Sequence, residues 1–531
     1  MRGVPLRCPY LYTIKRNKSV SISLAYKLII RGDGLVKKSI GINMILNVLR
    51  QTLTVIFPLI TYPYALRILG VVNIGKVNYG SSIITYFSMI ASLGIGTYAV
   101  REGAKRKNEK QELSNFANQV FTINIISTLI SYLILFFSLR YVGILTTYTK
   151  LILIQSLTIV FTTMGVDWIN SIFEDYLYIT VRSIITHCIS IVLLFVLVKS
   201  SNDYLLYAFL QVVTSAVVCV TNWIYCRKYI KLRITINIDW KKHLPPILIL
   251  FANSLAISIY VSFDTIMLGW MKGDLAVGYY SAAVKIYTII KNILMAIYIV
   301  TIPRLAYYIG EKEFDEYKKL FTSLWGKMTL ILIPASVGVF MLAPQVMKLI
   351  GGDAYVVSSG ALRLLCFALI FSIYAGLVSP VLNVTIGREK ENLIATLLGA
   401  GVNVVLNFYF IPKYSYVGAA FTTMISEGVA FIFPLLRIPS LSMYLELKSI
   451  RKSLFNVLAA TSAIVISYLV VVIFIKNYLL IISFTIGVSV VLYIFILFIL
   501  RDEYFIEVLM IVKKMLKVGH HDRYIKKIKN Y

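Results

Sequence analysis

From Ile42 onward the chain is a succession of apolar runs of about twenty residues, each closed by a short charged or Gly/Pro-bearing loop. At 1.5 Å per residue such a run crosses a hydrocarbon core of about 30 Å, so each reads as a membrane-spanning helix. Fourteen can be placed, at 42–62, 80–100, 117–139, 144–165, 178–198, 204–226, 246–271, 281–303, 324–349, 361–386, 392–411, 416–437, 454–475 and 478–500. The first is not uniformly apolar. Stepping at 100° per residue, Asn43, Asn47, Arg50, Gln51, Thr54 and Pro58 fall within an arc of about 100°, a polar stripe that must face protein or water. Arg50 could instead snorkel to the nearer interface, which leaves Asn47, Gln51 and Thr54 unexplained.

A second polar-faced helix follows one lobe later. In the seventh span Asn253, Ile257, Tyr260 and Asp264 cluster within about 60°. The joints between spans also repeat: Leu69-Gly70 and Ile74-Gly75 are echoed by Leu268-Gly269 and Val277-Gly278, about 200 residues and six spans later. An even number of spans preserves orientation, so the expected architecture is all-α and polytopic. It has two six-helix lobes in parallel pseudo-repeat, residues 36–226 and 246–437. Residues 227–245 form a basic linker, 438–500 carry two further helices, and 501–531 form a basic tail.

Composition agrees. With 531 residues, 59% hydrophobic and 15% charged, and a mean hydropathy of +0.80, the chain has too little polar surface for a soluble globule. The net charge of +29 would suggest nucleic acid in a soluble protein. Here the basic residues sit in alternate short loops, which carry roughly three times the lysine and arginine of the other set. No nucleic-acid partner is expected, and both termini are placed in the cytoplasm. Residues 1–35 contain no apolar run of span length and read either as a cytoplasmic extension or as an upstream mis-called start.

Candidate chemistry narrows quickly. Gly70 to Lys76 matches GxxxxGK, but Val77 stands where a P-loop needs Ser or Thr. No Asp-x-Asp, no GxSxG elbow and no His/Cys ligand set is present, so neither an enzyme nor a metal site is expected. What remains is charge within the membrane. Asp264 and Lys285 are expected at similar depth across one hairpin, as an ion pair that is structural or functional. Lys291 and Glu427 are expected near mid-bilayer, deep enough to line a cavity and able to pair. The polar loop Asp167, Trp168, Glu174, Asp175 reads equally as a solvated turn or a gate.

Several segments are similar to one known family. GINMILN, PLITYPYALRILG (Pro58 to Gly70), IGKVNYG (Ile74 to Gly80), GVDWINSIFEDYLYITVRSI (Gly165 to Ile185), FDTIMLG (Phe263 to Gly269) and VGYYSAAVKIY (Val277 to Tyr287) resemble the polysaccharide biosynthesis flippases. These are O-antigen and capsule repeat-unit exporters of the multidrug/oligosaccharidyl-lipid/polysaccharide exporter superfamily. The resemblance implies a fourteen-helix, two-lobed fold in a bacterial cytoplasmic membrane, opening alternately to either side. Its implied cargo is an undecaprenyl-diphosphate-linked oligosaccharide, with other polysaccharide assembly proteins as further partners. On that reading Arg50, Lys291 and Lys285 would receive the diphosphate, and Asn43, Asn47, Gln51, Asn253 and Tyr260 would hydrogen-bond hydroxyls or phosphate oxygens. No cofactor is implied, though Asp264 or Glu427 could carry a coupling H⁺ or Na⁺. The rivals are a cation-coupled multidrug exporter of the same fold, a polysaccharide polymerase or ligase, and a non-transporting scaffold.

Overall fold

A computed structural model describes the backbone of residues 40–513 and the side chains of residue 53 and residues 56–513. Within it, twelve helices are long and apolar enough to cross a membrane. Two of these are broken in the middle. Ile40–Ser92 changes direction at Gly70, and Glu389–Leu436 does so at Ser415. Among the described residues the count is thus close to the fourteen spans that the apolar runs predict.

Each break has a local cause. Gly70 sits at φ 73°, ψ 174°, a region reserved for residues without a Cβ. Ser415, at φ 51°, follows Pro412, which cannot donate to the helical ladder. Three residues on, Gly418 lets the returning helix pass the Phe410 carbonyl; a Cβ there would stand 2.3 Å from that oxygen.

The spans bury polar side chains within a mainly apolar core and also expose apolar ones, which a soluble bundle does not do on this scale. Ser131, Asn222, Asn407 and Thr485 are fully buried, whereas Leu133, Phe137, Val491 and Phe474 are exposed. In lipid the apolar exterior needs no cover, and helices associate through close packing and interhelical hydrogen bonds. Asn124 and Ser127, for example, both donate to the Ala91 carbonyl of the neighbouring helix, at 2.8 and 2.5 Å.

The pseudo-repeat is present, in a different register from the one the dipeptides suggest. Gly70 corresponds to Gly273 (φ 78°, ψ −174°), a step of 203 residues, so Leu268-Gly269 is not the counterpart of Leu69-Gly70. Gly269 serves packing instead, since its missing Cβ makes room for the Tyr79 ring. The same step relates Gly75 to Gly278 and Val71 to Asp274, and these four form the joint between lobes. A Cβ on Gly75 would lie 1.9 Å from the Asp274 carbonyl oxygen, and one on Gly278 2.1 Å from that of Val71. The glycine of the GxxxxGK match therefore belongs to a helix contact, and Lys76 lies over the Tyr204 ring.

The segment Asp167–Ile172 is a short packed helix. Trp168, Ile169, Asn170 and Ile172 are buried, and Ile172 fits against Gly103 of Ile95–Ala104. Asp167 accepts from Arg182 at 2.9 Å and from Asn222 at 2.5 Å; Asn222 also accepts from Arg182 and donates to the Gly165 carbonyl. Asp175 accepts from the Tyr225 and Tyr229 hydroxyls at 2.5 and 2.8 Å. Trp168 and Asp175 are thus packed into the lobe, while Asp167 and Glu174 stay exposed.

After the last span, Tyr478–Ile499, the chain turns at Arg501 (φ 51°) and docks back on the bundle. Asp502, buried, accepts from the Phe505 amide and from Asn456, both at 3.1 Å. The Tyr504 ring lies where a side chain on Gly326 would be.

Candidate functional site

Three helices of the second lobe bring polar residues to one place. Tyr260 and Asp264 stand one turn apart on Trp240–Lys272, Thr423 and Glu427 one turn apart on Glu389–Leu436. Tyr280, Tyr287 and Lys291 share a face of Asp274–Ile299 because steps of seven and eleven residues nearly complete whole turns. A π-helical stretch, Leu377–Asn383, containing Pro380, ends the neighbouring span. Wide turns of this kind recur at functional sites.

Lys291 and Glu427 form the ion pair expected from their depth. Lys291 Nζ lies 3.0 Å from Glu427 Oε1, and the Tyr287 hydroxyl donates to the same oxygen at 2.7 Å. The carboxylate side chain is 6% exposed and the lysine 21%, so the pair opens toward solvent or a partner only on the cation's side. A buried charge of this kind is tolerable because it is paired and hydrogen-bonded.

Asp264 is not paired with Lys285. Its Oδ2 accepts from the Tyr280 hydroxyl at 2.5 Å and from Thr423 at 2.9 Å, while its buried Oδ1 has no hydrogen-bond partner among the described residues. The reason is azimuth. Tyr280 faces Asp264, and Lys285 lies about 140° further round the same helix. Lys285 instead crosses to the first lobe, with its ammonium 5.5 Å from the centre of the Tyr62 ring, whose hydroxyl accepts from Asn78. Among the described residues it has no carboxylate partner.

The remaining residues expected at the site divide. Tyr260 is half-buried, its ring seated against Gly399 and its hydroxyl turned to the Glu427 carboxylate. Asn253 is exposed, two turns away. Asn43, Asn47, Arg50, Gln51 and Thr54 belong to the helix Ile40–Ser92, but their side chains lie outside the described residues. Tyr280, Tyr287 and Thr423 were not among the expected site residues; their spacing relative to Lys291 and Glu427 is the signal that finds them. The lobes also touch beside this network, where the Tyr86 hydroxyl donates to the Ser258 carbonyl at 3.1 Å.

Two lobes of spanning helices, related by a parallel repeat and enclosing paired charges, define a polytopic membrane transporter. The fold is shared with solved structures: the lipid II flippase MurJ in an inward closed conformation (TM-score 0.67, 16% identity, 87% of this chain and 99% of that one) and a multidrug resistance MATE family transporter, inward-facing (TM-score 0.52, 17% identity, 73% and 99%). A family model described as polysaccharide biosynthesis protein matches residues 40–309, just over half of the sequence, and the chain belongs to that family. A model described as MatE matches residues 249–409. Among curated proteins, a putative O-antigen transporter of Shigella dysenteriae is 22% identical over 399 residues, covering 74% of this chain and 98% of the relative. The capsular polysaccharide biosynthesis protein CapF of Staphylococcus aureus is 25% identical over 376 residues, covering 68% and 89%. The kinship is with transporters and flippases rather than enzymes.

Proposed function

We propose that this protein is a flippase that carries an undecaprenyl-diphosphate-linked oligosaccharide across the bacterial cytoplasmic membrane by alternating access, with both termini in the cytoplasm. The observation that carries the reading is Lys285, a cation at the seam between lobes with no carboxylate partner among the described residues. A diphosphate entering that seam meets an uncompensated positive charge in a low-dielectric slab, where Coulomb attraction is several times stronger than in water. Tyr62 itself is buried beneath the ammonium, so the lysine is the group that an incoming anion meets. Lys291 is neutralised by Glu427, so it takes up phosphate only when the carboxylate is discharged. A proton or Na⁺ on Glu427, or on the unpartnered side of Asp264, would thus couple ion movement to cargo release. Arg50 supplies a further cation from the first lobe.

The MatE match supports a second reading, a cation-coupled multidrug exporter that uses Asp264 and Glu427 to hold cationic drugs. Deletion of the gene separates the two. The flippase reading expects lipid-linked repeat units to accumulate on the inner leaflet and surface polysaccharide to vanish. Normal surface polysaccharide together with raised drug sensitivity would favour the exporter.

A further inference from the structure

The segment joining the lobes is tied down along one helix. The Arg233 amide donates to Asn118 Oδ1 at 2.8 Å, the Thr235 amide to Thr122 Oγ1 at 3.1 Å and the Asp239 amide to Gln119 Oε1 at 3.0 Å, all on Lys110–Tyr141. Leu232 and Ile238 pack inward on the core of the first lobe. Ile234 and Ile236 face the other way, 69% and 96% exposed, and Trp240 follows at 42%. Beside this strap lies an open cavity of about 410 Å³, lined by Lys110, Gln111, Ser114, Arg227, Tyr229 and Lys231 among others. It opens at the first turn of Lys110–Tyr141, which has no side-chain cap on its free amides.

The charges around the cavity do not cancel. Of the nearby acids, Glu102 and Glu112 pair with Arg106, Glu174 with Lys107, and Asp239 accepts from the Lys242 amide, which leaves the exposed Glu109 as one carboxylate against three cations. Lys110, Arg227 and Lys231 form no ion pair among the described residues. The helix serves as a depth ruler. Residues 118–122, where the strap is tied, lie about 12 Å further along the axis than the cavity residues 110–115. The isoleucines are therefore deeper in the bilayer than the cations, the order in which a phospholipid presents its acyl chains and its phosphate. A soluble anion would fill the cavity and leave two isoleucines in water.

We infer that the interlobe strap is a lipid-anchoring site: the cavity takes the phosphate of an anionic phospholipid from the cytoplasmic leaflet, and Ile234, Ile236 and Trp240 enter the acyl boundary beside it. The inference needs the basic end of the bundle to face the cytoplasm, as the loop charges predict, and does not depend on what the protein transports.

The test is amide exchange of residues 227–239 in the full chain, reconstituted in nanodiscs of phosphatidylcholine with increasing phosphatidylglycerol. Exchange is expected to slow as phosphatidylglycerol rises. Arg227→Gln should raise the half-protecting fraction about fivefold, the contribution of one basic residue at an anionic surface. Ile236→Ser should also raise it, and Lys231→Arg should leave it unchanged. All three positions are exposed, so the variants keep the fold. Exchange indifferent to lipid charge, an unaltered Arg227→Gln, or equal protection by inorganic phosphate in pure phosphatidylcholine would each overturn the inference, the last by showing a site for soluble anions.

Discussion

Gly70 and Gly273, 203 residues apart, hold the same backbone conformation, φ 73°, ψ 174° and φ 78°, ψ −174°, each at the turn between the first two spans of its lobe. The residue after each, Val71 or Asp274, turns its carbonyl toward a glycine of the opposite lobe, Gly278 or Gly75. The repeat therefore builds its own interface: each lobe contributes one turn and one Cβ-free helix face, and each turn seats on the other's face.

At the turns themselves there is room but no permitted conformation. Nothing lies within 4 Å of a Cβ added to Gly70 or Gly273, so Gly70→Ala and Gly273→Ala suffer backbone strain alone. Each should cost about 1–3 kcal/mol. A lowered melting temperature of the detergent-solubilised protein, similar for both, is the expected result; equal melting with wild type would show that the turns relax freely.

At the faces the reverse holds. A methyl group on Gly75 or Gly278 meets backbone rather than a movable side chain, so the lobes must separate. Gly75→Ala and Gly278→Ala are expected to abolish polysaccharide display at unchanged membrane levels. In a cysteine-free background Ala276→Cys, buried at this joint in the parent, should become reactive to a maleimide in either variant. Unchanged protection of that thiol would mean the joint absorbs the methyl without opening.

Within the second lobe the ion pair is asymmetric. Lys291→Met strands a carboxylate that is almost wholly buried, and should destabilise by about 3–5 kcal/mol. Glu427→Gln leaves a cation with some exposure, and should cost less. The double variant should regain most of the stability of wild type yet fail to transport, since both charges of the exchange are gone. Thermal melting and complementation measure the two effects separately; a double variant that transports would make the pair structural.

The depth of these charges was legible in the sequence because distance from a span's end needs only a count of residues. Lys291 and Glu427 lie equally deep and do meet. Direction was not legible to the same degree. Asp264 and Lys285 also share a depth, but which face of Asp274–Ile299 turns inward depends on packing against Glu389–Leu436, a helix more than a hundred residues away. Tyr280, Tyr287 and Thr423 were passed over because aromatic and hydroxyl residues in an apolar run ordinarily fill a membrane core. Residues 227–245 read as a basic interlobe linker, but the helix Trp240–Lys272 already begins within them, and the attachment of the preceding strap to Asn118, Gln119 and Thr122 left no periodic trace.

The docked segment after the last span gives a pH dependence. Burial pushes the Glu507 carboxyl up, but Lys327 at 2.7 Å and the Ser323 hydroxyl at 2.7 Å outweigh that and hold it below the usual glutamate value. Since the docked state has the lower pKa, its stabilisation is complete above the ordinary range near about 4.3 and is lost as pH falls through the depressed value. Amide exchange over residues 503–513 should accelerate on acidification below about pH 4.5, and Glu507→Gln should flatten that dependence.

Lys285 separates transport from stability most cleanly. Its ammonium rests over Tyr62 across the seam, a contact worth only about 0.5–2 kcal/mol, so Lys285→Gln should scarcely change melting. If the seam receives a diphosphate, the same change removes its uncompensated charge and polysaccharide display should fall at least about tenfold, the ratio given by losing roughly 1.4 kcal/mol of anion affinity. Lys285→Arg keeps both the charge and the ring contact and should retain most activity. Tyr62→Phe, which keeps the ring but frees Asn78 from the hydroxyl, should behave like wild type toward the anion. Full display by Lys285→Gln at equal expression would place the phosphate elsewhere in the membrane, leaving Arg50 and a discharged Glu427–Lys291 pair to receive it.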